Sequence, residues 1–90
     1  MKNNAEALIA KINILIEALK KTSNPTVNFY KIVIDEISNC TSLEELKKVL
    51  DERLIHAGRI KEYGGYSWEQ INLFNEMWEV AKSICVSNPQ

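Results

Sequence analysis

Between Ala5 and Leu19 the chain sets apolar side chains at Ala5, Leu8, Ile9, Ile12, Leu15, Ile16 and Leu19. Read as Ala5, Leu8, Ile12, Leu15 and Leu19, the steps alternate between three and four residues. On a helix of about 3.6 residues per turn these positions form one stripe, whereas on a strand they would scatter over both faces. A helix with a single apolar stripe has to bury it against other elements. The remainder of a 90-residue chain must therefore supply the partners.

Three further segments supply them. "KKTSNP" ends the first helix, with Lys20 and Lys21 at the negative end of its dipole. Asn24–Pro25 reads as an N-cap followed by proline at the first helical position, where its missing N–H costs nothing. The second helix then carries Tyr30, Val33, Ile34 and Ile37 inward, with Phe29 beside them. Its run "FYKIVIDEI" is β-branched and would suit a strand, but strict alternation is absent. "TSLEEL" offers two overlapping capping boxes, Thr41 with Glu44 and Ser42 with Glu45. A stripe of Leu43, Leu46, Leu50, Leu54, Ala57 and Ile60 follows, with Val49 on its shoulder and Gly58 inside it.

The last joint, "EYGGYSWEQ", concentrates two glycines and three aromatics in nine residues. Ser67 and Gln70 form a capping box, and Tyr66 with Ile71 has the spacing of a hydrophobic staple. Gly64 or Gly65 supplies the left-handed residue that ends the preceding helix. A phosphate loop would need a preceding strand and a following lysine, and neither is present. The fourth helix buries Ile71, Phe74, Met77, Trp78, Ala81 and Ile84. The expectation is an all-α single domain over 1–90, with helices at about 4–21, 25–38, 43–62 and 68–85. Short joints make it an antiparallel up-down-up-down four-helix bundle.

Charge and composition narrow the function. The formal net charge is −1 and the pI about 5.8, so the basic face of a nucleic-acid binder is missing and no nucleic acid is expected as partner. Charged residues at Glu6, Lys11 and Glu17 interrupt the N-terminal apolar run, and no stretch approaches the roughly 20 apolar residues of a membrane span. A cytoplasmic protein is expected, in which Cys40 and Cys85 stay reduced.

Chemistry is sparse. His56 is the single histidine and falls off the apolar stripe, as a solvated side chain would. The carboxylate pairs Asp35–Glu36, Glu44–Glu45 and Asp51–Glu52 are sequence neighbours, which diverge on a helix rather than converge on a substrate. No catalytic set, metal site or cofactor is expected, and the chain is not read as an enzyme. Tyr63, Tyr66 and Trp68 are the candidate partner-binding residues, because tyrosine and tryptophan are over-represented in binding hot spots. The competing reading makes them the cap of the bundle end, with Tyr66 stapled and Trp68 lying over it. Tyr63 is the one expected to separate binding from stability.

From "AEALIAKINILIEAL" through "GGYSWEQINLFNEMWEVAKSI" the chain resembles the cytoplasmic immunity proteins for pediocin-like (class IIa) bacteriocins. The resemblance lies in length, in the order of four helices, and in a Gly-containing turn with a Ser cap before the last helix. It implies a non-enzymatic protector against a pore-forming peptide. Its partner would be the bacteriocin engaged with its membrane receptor, the mannose phosphotransferase permease. The hairpin of the third and fourth helices would choose the bacteriocin, which puts that role on Tyr63, Tyr66, Trp68 and the end of the fourth helix. Peripheral membrane association fits this role. The very short tail after Cys85 departs from the family pattern. The alternative is a small regulatory or adaptor bundle, antitoxin-like or a phage-encoded inhibitor, that binds a soluble protein.

Overall fold

The first stripe becomes α1, Lys2–Lys21, in the computed structural model, which describes residues 2–54 and 57–86, the side chains of 2, 3, 57 and 63 excepted. Leu8, Ile12, Leu15, Ile16 and Leu19 are buried, and Ala5 and Ile9 flank them half-buried. Ala18 is buried as well, although it lies off the stripe. The helix stops at Ser23, whose φ of 54° is left-handed. Asn24 N–H reaches back to Leu19 O at 3.0 Å and Ser23 N–H to Lys20 O at 3.0 Å. These two bonds are a Schellman stop, normally built around glycine.

Asn24 is not the N-cap of the second helix: that position falls on Thr26, which makes no side-chain cap bond, and Asn24 instead shapes the turn before it. Asn24 Oδ1 accepts from Thr26 N at 2.9 Å and from Thr26 Oγ1 at 2.6 Å. Val27 N–H closes a turn onto Asn24 O at 3.4 Å, and α2 runs Val27–Ser38. Pro25 has no N–H to give, so the side chain of Asn24 organises the turn instead. Within α2 the β-branched run is helical. Tyr30, Val33 and Ile37 are buried, Phe29 and Ile34 half-buried, and Ile32 is 51% exposed. Burial at a period of three to four residues overrides the local strand preference.

The expected third helix is present as two segments, α3 Leu43–Arg53 and α4 Ala57–Tyr63, with residues 55 and 56 outside the described ones. Ser42 caps α3 by accepting from Glu45 N at 3.2 Å. The return bond differs from the expected box. Glu45 accepts from Thr41 N at 3.2 Å and Thr41 Oγ1 at 2.8 Å, one residue outside the cap. Leu46, Leu50 and Leu54 are buried. Leu54 keeps helical dihedrals, and its N–H still bonds Leu50 O at 2.9 Å.

The last helix, α5, runs Trp68–Cys85 and buries Phe74, Met77, Ala81 and Ile84, while Ile71 and Trp78 are half-buried. Among the described residues there is no strand. α1 packs against α2 and α5, and α3 packs against the same two helices. One apolar cluster draws on all four. Lys61 of α4 holds its ammonium 5.1 Å from the centre of the Phe74 ring. Surface ion pairs cross between helices, among them Lys11 with Glu76 at 3.1 Å and Arg53 with Glu36 at 2.7 Å. Exposed pairs of this kind contribute little to stability.

Two outcomes follow from the helix ends. Ser23→Gly should stabilise the protein by about 0.5–1 kcal/mol, because a left-handed residue costs every side chain except hydrogen. Urea melts measure it. The Thr41 hydroxyl, and then its N–H, hold the Glu45 carboxyl below its ordinary pKa. A lowered folded-state pKa gives stability that is complete above the unfolded value and disappears as pH falls through the folded one. The gap between wild type and Thr41→Ala should thus be open near about pH 7 and narrow as pH falls below the ordinary carboxylate range, read from melts at each pH.

Candidate functional site

The corner between α4 and α5 is built on glycine geometry. A Cβ on Gly64 would come 2.5 Å from Ile60 O and 2.8 Å from the Tyr66 ring, so only glycine lets the chain turn this closely. Gly65 takes the left-handed conformation, φ 69°. The turn folds the Tyr66 ring back against the core. Its hydroxyl bonds Thr26 Oγ1 at 2.7 Å and the buried Tyr30 hydroxyl at 3.0 Å. Burial, and then the Tyr66 hydrogen bond and charge, push the Tyr30 hydroxyl far above its ordinary pKa, so it stays neutral.

Two amides tie this corner to the joint between α1 and α2. Asn24 Nδ2 donates to Gly64 O at 2.6 Å. Gln70 Nε2 donates to Ala18 O at 3.0 Å and to Thr22 Oγ1 at 2.9 Å. The expected Ser67–Gln70 capping box is present. Ser67 N–H donates to Gln70 Oε1 at 2.8 Å, and Gln70 N–H donates to Ser67 Oγ at 3.2 Å. Gln70 is only 2% exposed, yet every buried side-chain nitrogen and oxygen among the described residues has a partner.

The three aromatic candidates part company here. Tyr66 is a structural anchor, held by its ring and its hydroxyl together. Trp68 is 82% exposed. It does not lie over Tyr66, because as the first residue of α5 it projects beyond the cap. Tyr63 ends α4, and its side chain is outside the described residues. Trp68 is therefore the candidate that the structure presents to solvent on a fixed base.

Sequence reasoning missed the tertiary reach of Gln70 and Asn24. A signal for Gln70 existed. Counting back from Ile84, Ala81, Met77 and Phe74 in steps of three and four lands on residue 70, a polar side chain at a core position. No comparable signal marked Asn24, whose role in the turn is local while its bond to Gly64 spans 40 positions.

Elsewhere the chemistry is plain. Cys40 and Cys85 are free thiols. Cys40 Sγ donates to Glu36 O at 3.3 Å and Cys85 Sγ faces Asp51 Oδ1 at 3.9 Å. Burial, with neighbouring carboxylates adding, pushes both thiols up. His56 lies outside the described residues. Among the described residues no three His, Cys, Asp or Glu side chains gather, and no helix is long and apolar enough to cross a membrane. Compared with family models, curated proteins and solved structures, the chain matches none.

The two roles at this corner predict opposite stabilities. Gln70→Ala strands Ser67 N–H and Ala18 O and should cost about 1–3 kcal/mol. Trp68→Ala should stay within about 0.5 kcal/mol of wild type, as an exposed substitution does. Urea unfolding midpoints of the two variants distinguish them.

Proposed function

We propose that this chain is a bacteriocin immunity protein: a non-enzymatic cytoplasmic protector against a pore-forming, pediocin-like peptide. It acts by recognising the bacteriocin–receptor complex, with the mannose phosphotransferase permease as receptor, from the inner face of the membrane. The reading rests on the resemblance between Ala5 and Ile84. The single structural observation that supports it is Trp68, 82% exposed on a corner that hydrogen bonds hold rigid. A pre-ordered aromatic gives binding energy without the entropy cost of ordering a loop.

The same reading takes the chain to thread up, down, up and down. Gln70 beside Ala18 and Lys11 beside Glu76 support an antiparallel course for α1 and α5. Lys61 over Phe74 and Asp51 beside Cys85 support one for α3–α4 and α5.

The test expresses the protein in a sensitive strain and challenges it with a panel of class IIa peptides. The wild type should protect against at least one. Trp68→Ala should lose that protection while remaining folded, since an aromatic anchor supplies about 2 kcal/mol or more, roughly a thirtyfold loss of affinity. Tyr66→Ala should lose protection and stability together, and Tyr63→Ala tests the remaining candidate. Sensitivity of the wild type to every peptide of the panel would remove the immunity reading and leave an adaptor bundle that presents Trp68 to a soluble protein.

A further inference from the structure

Away from the Trp68 corner, α3 and the second half of α5 leave a half-open cavity of about 170 Å³ between them. Leu50 and Leu54 line one side, and Trp78, Ala81 and Val86 the other. Leu50, Leu54 and Ala81 are buried, whereas Val86 is 80% exposed at the mouth. A water molecule needs about two to four polar partners, and these walls offer none in their depth, so the cavity has no reason to fill with ordered water. The volume is that of a single aromatic ring, since an apolar cavity of about 150 Å³ takes up benzene. Trp78, stacked on Phe74 at 6.0 Å between ring centres, supplies an aromatic wall.

The rim adds direction. Asp51 and Lys82, of opposite sign, both border the cavity, so no net charge selects an ion. The Cys85 thiol faces Asp51 Oδ1 at 3.9 Å, a weak donor at long range. A carboxylate has about four lone-pair sites and accepts a stronger donor readily. The geometry points to a binding site for a small neutral phenol-class molecule, its ring between Leu50, Leu54, Trp78 and Ala81 and its hydroxyl donating to Asp51. The site lies in the second half of α5 while Trp68 begins that helix, so it does not depend on the reading proposed for the corner.

The test titrates the isotopically labelled full chain with phenol, benzene and benzoate, following backbone amide shifts by NMR. Phenol and benzene should both saturate, with shifts centred on Leu50, Ala81 and Cys85, and benzoate, which has no hydrogen to donate to Asp51, should bind more weakly than phenol. Asp51→Ala should weaken phenol about tenfold and leave benzene unchanged, the loss expected for one charge-assisted hydrogen bond. Ala81→Leu fills the cavity and should abolish both titrations without lowering the unfolding midpoint. Asp51 is exposed, so its variant keeps the test decisive even where Ala81→Leu fails to fold. Non-saturating shifts, binding that survives Ala81→Leu, or phenol affinity indifferent to Asp51→Ala would each overturn the site.

Discussion

Helix ends that meet inside a protein must find partners for their free N–H and C=O groups, and the architecture of this chain follows from how it meets that demand. Asn24 works at three ends at once. Its N–H stops α1 through Leu19 O, its Oδ1 opens the turn into α2, and its Nδ2 holds Gly64 O at the foot of α5. Gln70 does the complementary work from the other side, capping α5 with Oε1 and gripping the last turn of α1 with Nε2. Neither amide has a spare polar atom. Removing either would leave buried groups unpaired on two helices, and that penalty exceeds the net worth of the bonds themselves.

These bonds also settle what apolar packing leaves open. Leucine and isoleucine stripes attract one another without direction, and a bundle built on them alone tolerates sliding by a turn. A donor at Gln70 that must reach Ala18 O admits one register of α5 on α1. The hydroxyls of Tyr66, Tyr30 and Thr26 tie the turn before α5 to the first part of α2 in the same way. The order of that corner sets where the backbone carries Trp68. The far part of α5 is different: its closure over α3 is made by Leu50, Leu54 and Ala81, and space is left beside them.

How much of this was legible depends on how local each interaction is. The stripes of α1, α2 and α5, the Ser67–Gln70 box and the glycine turn are set within a few residues, and they appear where the spacing put them, whereas the third stripe is divided between α3 and α4. The β-branched α2 was also legible, because its buried positions keep a helical period. The start of α2 moved from Pro25 to Val27, since a turn closed by the Asn24 side chain competes with a helical first turn, and the sequence Asn-Pro permits both. The burial of Ala18 depends on contact with α5, which no stripe on α1 announces. At the aromatic corner the sequence reads each residue by its local role, and tertiary contacts then separate them. The staple spacing gives Tyr66 a local contact with its own helix, whereas its hydroxyl reaches Tyr30, 36 positions earlier. Trp68 reads either as a binding residue or as part of the bundle-end cap, and its 82% exposure speaks against the second.

The two tryptophans of the chain consequently sit in different solvents. Trp68 stands in water, and Trp78 is half-buried against Phe74. An indole in water emits at longer wavelength and meets soluble quenchers, while one shielded by a stacked ring is partly protected from both. The protein thus carries two optical channels on a single helix, one that senses whatever touches the corner and one that senses the packing of α3 on α5. Events at either end of α5 can be followed separately, by light, without adding a label.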